Sequence, residues 1–249
     1  MDLEDPIADY DILPESRGPV RGKHLLPHTS EGTPGSRYRY HGDRFGLLDR
    51  VMLNATGLTF AELLIDRIIL PLDLQDTVPT PVGGERLAYE RGEADPRFQH
   101  AWNRLTAPYW LVQGYGNVRD EYVEYFGSAA GLISSAMDYA AFSIALDPEA
   151  LLAEETLAMA WSPFVSTRGQ AIPYGYGWFI QERDGTRLVW HYGYWRSTST
   201  LIVKVPERGL AFLLFANSDR LSSPFHLGVN ENVRRSPAAR AFLDIFVDP

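Results

Sequence analysis

Apolar residues recur at two different periods along this chain, three to four residues apart as far as residue 158 and two apart beyond residue 174. From Asp43 onward Phe45, Leu48, Val51 and Met52 fall at helical spacing, and Gly57 stands where a C-terminal cap is expected. A second helix follows at once. Thr59 with Glu62 makes a capping box, Phe60, Leu63, Leu64 and Ile68 form the buried stripe, and Pro71 stops it, so the two read as a helical hairpin. Ser135 and Asp138 form another capping box ahead of the apolar positions Met137, Ala140, Ala141 and Ile144. Asp147-Pro148 is expected to cap a further helix running through Ala158.

Beyond Tyr174 the pattern becomes strand-like. Residues 177–182, 187–191, 199–205 and 210–217 are β-rich runs, split by turn signals at Asp184-Gly185 and Glu207-Arg208-Gly209. Links this short predict an antiparallel meander, and residues 236–247, with Pro237 in the first turn, predict a closing helix. Two stretches have no clear period. Residues 1–37, rich in proline, glycine and charge, read as irregular coil that needs something to pack on. Residues 71–127, rich in proline, glycine and aromatics, read as a long ordered excursion of the kind that walls a binding site. The expectation is an α/β chain of the α+β type forming one domain over residues 1–249, with a mainly helical region at 43–158 and an antiparallel sheet and closing helix at 174–249.

Composition narrows the function classes. The chain is 45% hydrophobic, 22% charged and 12% aromatic, which excludes intrinsic disorder. Twenty-three basic against 32 acidic residues give a net charge of −9, a field that repels phosphate backbones, so nucleic acid is not an expected partner. The longest apolar run, 210–216, is far short of the roughly 20 residues that span a bilayer. Asp2, Glu4, Asp5, Asp9, Asp11 and Glu15 precede the first base, Arg17, the reverse of a signal peptide; a soluble chain of unassigned compartment is expected. With no cysteine there is no disulfide, thiol nucleophile or thiolate metal site. No HExxH, EF-hand, P-loop or GxSxG string occurs. His24 and His28 have the spacing of a helical zinc pair, but Pro27 between them argues against a helix, and the structural reading is preferred.

Seven strings then occur in a telling order: HLLPHTSEG at 24–32, PGSRYRYHGDRFGLLDRV at 34–51, LLIDRIILPLDLQDT at 63–77, SAAGLISSAMDYAAF at 128–142, YGYGWFIQ at 174–181, HYGYW at 191–195 and VPERGLAFLLFANSD at 205–219. Together they resemble the serine β-lactamase-like family, which takes in class C β-lactamases, D-alanyl-D-alanine carboxypeptidases and related esterases. The resemblance runs from about Leu3 to Asp219. It implies an antiparallel sheet flanked by helices with an all-helical region, and a mechanism built on a Ser-x-x-Lys helix, a Tyr-x-Asn loop and a Lys/His-x-Gly strand. Tyr40-His41-Gly42 falls on the tyrosine loop, so Tyr40 is the implied general base or acid, with Gly42 replacing the usual asparagine. His191-Tyr192-Gly193 matches the strand motif in its histidine form. By the same resemblance His191 faces the pocket, Gly193 leaves room for substrate, Tyr194 supplies a backbone N–H to the oxyanion hole, and Tyr192 lines the cleft. The implied substrate is a small ester, D-amino-acid peptide or β-lactam, with no metal or other cofactor, since acyl transfer to serine needs neither.

The lysines change this picture. There are two, Lys23 and Lys204, and Val20 and Leu201 stand three places before them, so no Ser-x-x-Lys exists in the chain. In the family that helix lies just before a stretch like residues 2–10, so the expectation is that the nucleophile helix and two strands are missing by truncation and that this chain alone is inactive. A phenol without a neighbouring cation is a poor base at neutral pH, its reference pKa being about 10. One missing strand would pair beside residues 210–217, leaving an open edge that suits a partner chain. The alternative expectation is a pseudoenzyme that keeps the substrate pocket and binds without turnover.

Overall fold

The computed structural model describes residues 2–112, 116–121, 124–146 and 151–247. Its contacts divide the chain into two units, Met1–Arg104 with Glu124–Trp178 and Leu105–Val123 with Phe179–Pro249.

In the first unit the proline-rich N-terminal stretch holds a 3-10 turn at Ile7–Tyr10 and a single helical turn at Gly22–Leu25, joined by a bridge between Pro6 and Arg21. What it packs on is helix α1 (Leu47–Thr56): Ile7, Ile12, Val20 and Leu25 form one buried cluster with Leu48 and Val51. Gly57 ends α1 in the left-handed region at φ 76°, where its N–H reaches Leu53 O at 2.8 Å. Helix α2 (Phe60–Leu64) opens with the expected box. Thr59 Oγ1 accepts from Glu62 N–H at 3.2 Å, and Glu62 Oε2 accepts from Thr59 N–H at 2.7 Å. A π-helical turn at Ile65–Ile69 then widens the helix by one residue, which rotates the apolar face so that Ile69, not the expected Ile68, is the buried end of the stripe.

The described residues of the aperiodic stretch after Pro71 form short regular elements. Val78–Pro79 pairs antiparallel with Leu132–Ile133, and α3 (Gly84–Arg91) and α4 (Pro96–Asn103) lie between them in sequence. Asp95 Oδ1 caps α4 through Arg97 N–H at 3.0 Å, with Pro96 at the first helical position. Helix α5 (Ala136–Leu146) corrects two expectations. Ser135 Oγ accepts from Asp138 N–H at 3.1 Å, but the Asp138 carboxylate does not return the bond; it accepts from Asp76 N–H and the Thr77 hydroxyl, each at 2.7 Å. The buried positions are Ser143, Ala145 and Leu146, whereas Met137 and Ile144 are 79% and 67% exposed. A helix apolar on nearly every side gives the period no face to choose. Helix α6 (Glu154–Ala160) follows; the expected cap at Asp147-Pro148 lies outside the described residues.

The second unit is the expected meander of β1 (Phe179–Arg183), β2 (Thr186–Trp195), β3 (Thr198–Val205) and β4 (Leu210–Ala216). Asp184 and Gly185, both at positive φ, make the two-residue turn between β1 and β2, the geometry whose twist suits a hairpin. One row across the sheet reads Phe179, Trp190, Val203, Phe212. Helix α7 (Pro237–Phe246), capped by Ser236 Oγ on Ala239 N–H at 3.3 Å, covers that face, with Phe242 stacked on Phe212 at 5.2 Å. A hairpin of Tyr109–Val112 and Gly116–Arg119 hangs from the end of the sheet, where Tyr109 N–H donates to Asn217 O at 2.9 Å and Asn217 Nδ2 to Ala107 O at 2.8 Å. Among the described residues no helix is long and apolar enough to cross a membrane.

Candidate functional site

Tyr40 belongs to the first unit and is fixed from both sides by one residue. His28, 5% exposed, accepts Arg39 N–H on its backbone O at 2.9 Å and His41 N–H on its ring Nδ1 at 3.2 Å, so the residues before and after Tyr40 are both tied to it. Its ring also lies 4.3 Å from the Tyr40 ring, 5.3 Å from Phe45 and 5.0 Å from Tyr174, an aromatic cluster that leaves Tyr40 itself 38% exposed. His28 stands at φ 55°, which stops the preceding turn and directs its ring at this loop. The His24 ring is used elsewhere, its Nδ1 accepting Arg21 N–H at 3.2 Å, so the suggestive spacing of His24 and His28 serves two different backbone donors. Next to Tyr40, His41 Nδ1 caps the short helix Gly42–Phe45 through Arg44 N–H at 3.3 Å, while His41 Nε2 lies 3.5 Å from Glu31. Gly42 needs no special backbone conformation, and a methyl group on it would meet nothing within 4 Å.

His191, Tyr192, Gly193 and Tyr194 lie together on β2 in the second unit. Because β1 pairs only as far as Trp190, the stretch from His191 to Trp195 is laddered to β3 alone among the described strands. The His191 ring sits 5.7 Å from the Phe179 ring and 5.8 Å from the Tyr192 ring. Burial among them holds the imidazole down to about 4, against a hydrogen bond to the Tyr192 backbone that pulls it up. At neutral pH His191 is therefore an uncharged hydrogen-bonding group, not a cation. Gly193 is a glycine for a packing reason: a methyl group there would overlap Oγ1 of Thr200, its partner across the ladder. The space over Gly193 therefore holds the Thr200 hydroxyl, and Gly193 O accepts from the Ser222 hydroxyl at 3.0 Å. The Tyr192 ring packs over Gly228, where any side chain would collide with it, and its burial raises the phenol above the usual range. Tyr194 is 55% exposed.

Residues 1–228 match the family model described as Beta-lactamase. The chain belongs to the beta-lactamase family. This family chain is 24% identical over 190 residues to a penicillin-binding protein of Bacillus subtilis, covering 75% of this chain and 41% of that one. Over 180 residues it is 28% identical to a D-aminopeptidase of Brucella ovis, covering 70% and 31%. It thus spans less than half the length of these curated relatives. The structure is similar to that of an octameric penicillin-binding protein homologue from Pyrococcus abyssi, with TM-score 0.76 and 19% identity, covering 98% of this chain and 60% of that chain, which shows the shared fold.

Within this beta-lactamase family chain, four residues with a part in the site escape the sequence reading: His28, Thr200, Ser222 and Gly228. His28 lies twelve residues before Tyr40, a spacing that carries no period, and its pairing with His24 draws attention to metal chemistry instead. Thr200 follows from register alone once β2 and β3 are paired. Ser222 lies in the turn between two short 3-10 segments and Gly228 in a single helical turn at Leu227–Asn230, and no spacing rule connects either to β2.

Proposed function

We propose that this chain carries most of the site of a serine hydrolase that cleaves an ester, D-amino-acid peptide or β-lactam through an acyl-serine, and that these 249 residues alone do not turn over because they contain no Ser-x-x-Lys. In that reading the serine oxygen adds to the carbonyl carbon, its proton passes by way of lysine and Tyr40 to the leaving group, and water later repeats the addition to release the acid. His191 faces the substrate as a neutral imidazole, Tyr194 N–H is half of the oxyanion hole, Gly193 leaves room beside the strand that the substrate shares with the Thr200 hydroxyl, and Tyr192 lines the cleft. The observation that supports this most is the stretch from His191 to Trp195, a strand laddered on one side only, which suits an extended substrate on the other. The nucleophile's backbone N–H would complete the hole; one such donor is worth about 2.7–4 kcal/mol in acyl-transfer enzymes. Deleting a serine nucleophile costs on the order of a millionfold in turnover. The serine and lysine would come from polypeptide beyond these residues or from a partner chain, adding a strand at the outer edge of β4, which pairs with β3 alone among the described strands.

The missing Ser-x-x-Lys also favours a second reading, a binding protein that recognises the same ligands without turnover. Assay of the 249-residue chain with a nitrophenyl ester and a chromogenic cephalosporin is expected to give no turnover; hydrolysis abolished by a fluorophosphonate would overturn that. Adding the polypeptide encoded immediately upstream separates the two readings. Recovered, fluorophosphonate-sensitive hydrolysis supports the hydrolase, and binding without hydrolysis supports the second reading.

A further inference from the structure

β2 continues past the matched motif by two exposed aromatic residues, Tyr194 and Trp195. Counting by two from His191, Gly193 and Trp195 follow on the same face of the strand. Gly193 offers no side chain, Thr200 across the ladder brings its hydroxyl into that space, and Trp195 is 52% exposed. The Thr200 hydroxyl in the space over Gly193 and the open Trp195 indole thus follow one another along this face, with Trp195 roughly 7 Å along the strand from Gly193. The turn after Trp195 is tied back through its arginine. Arg196 grips Asp120 at two points, Nε to Oδ2 at 2.8 Å and Nη2 to Oδ1, and its guanidinium lies 4.9 Å over the Trp110 ring. The Asp120 side chain is only 10% exposed, so this pair is a built feature and not a chance surface contact. It also pairs the charge of Arg196, the residue next to Trp195, so a carboxylate on a ligand must compete with Asp120 for that guanidinium, whereas a flat apolar group finds an exposed indole.

We propose that Trp195 selects the substrate: the site takes amides or esters that carry an uncharged aryl group next to the carbonyl, in preference to aliphatic or carboxylate-bearing ones. This rests on the hydrolase reading only for the ligand's other end, the amide or ester carbonyl. The test is therefore binding, measured by calorimetry on the 249-residue chain with D-phenylalaninamide, D-leucinamide and D-isoglutamine. D-Phenylalaninamide is expected to bind roughly five- to tenfold tighter than D-leucinamide, and D-isoglutamine the weakest. Trp195→Ala should reduce the aryl preference to within about twofold, Trp195→Phe should keep most of it, and Asp120→Asn, which frees the Arg196 charge, should tighten D-isoglutamine relative to the other two. Equal binding of all three, an undiminished preference in Trp195→Ala, or no binding of any probe overturns the inference. An aryl preference in binding, with no hydrolysis even when the upstream polypeptide is added, would leave it standing while removing the hydrolase reading.

Discussion

The Tyr40 loop and the His191 strand are held in place by opposite means. His191 is positioned by backbone: every residue of β2 from Val189 to Trp195 has a register partner on β3, and the side chains around the imidazole add burial. Tyr40 lies in coil, with no ladder on either flank, and one side chain and one carbonyl of His28 do what the ladder does for His191. A position fixed by a ladder is shared among many bonds and survives the loss of any one side chain. One that leans on the hydrogen bonds of a single residue loses them with that residue, so the two elements should respond differently to mutation, to glycine replacement and to salt.

The largest expected effect tests the strand. Trp190 and Phe179 are fully buried and stacked at 4.2 Å on the face that α7 covers, so Trp190→Ala should cost about 3–5 kcal/mol in urea unfolding. Because the indole Nε1–H is buried without a partner, Trp190→Phe should cost far less, and it should leave the ladder at His191 intact by hydrogen exchange. In the loop, His28→Ala strands the His41 N–H and opens the aromatic cluster, for about 1–3 kcal/mol, with exchange protection lost first around Arg39 to His41. His28→Asn should recover much of it, since asparagine accepts the left-handed backbone and carries an acceptor near the Nδ1 position. Equal losses in the two variants would mean that ring packing, and not the hydrogen bond, holds Tyr40.

The same contrast explains what could be read from the sequence. The sheet was legible because alternation and turn pairs such as Asp184-Gly185 are local, and once register is known it delivers Thr200 opposite Gly193. Gly57 and the Thr59–Glu62 box were legible for the same reason. The α5 face was not, because Met137, Ala141 and Ile144 are as apolar as the residues that are buried. Helix α4 carried a usable signal, Asp95 before Pro96, but no period long enough to confirm it. Tyr40 and the strand motif are expectations from ordered resemblance, whereas a side chain bonding backbone thirteen residues away, as His28 does, leaves no pattern in spacing.

The glycines of the two motifs sharpen the comparison at about 1 kcal/mol. Gly193→Ala forces the Thr200 hydroxyl to rotate away and should destabilise by about 1 kcal/mol; Thr200→Ser should leave that cost in place, and Thr200→Ala should relieve it. Gly42→Ala meets open space in an ordinary conformation at the start of a helix, so it should be neutral or stabilising by about 0.4–1 kcal/mol. Thermal unfolding of the single and double variants reads both signs, and a destabilising Gly42→Ala would show that the loop uses that space for its own packing.

The smallest effect separates two histidines that share a value for different reasons. His24 in the first unit and His191 in the second are each held down to about 4 from an ordinary 6.5. In the unfolded chain each takes up its proton near 6.5 but in the folded chain only near 4, so each contributes stability above about pH 6.5 that is lost as pH falls towards 4. Burial is the main cause at both, but Lys23 and Arg21 add to it at His24 against Glu4, whereas at His191 a hydrogen bond to the Tyr192 backbone opposes it. Raising salt to about 1 M shortens the screening length to roughly 3 Å. Screening of the net −9 charge moves both midpoints down alike, so the informative quantity is their difference. By NMR titration of the ring protons, the His24 midpoint should rise relative to that of His191 as salt is added. If the two keep a constant separation, the neighbouring cations do not reach His24.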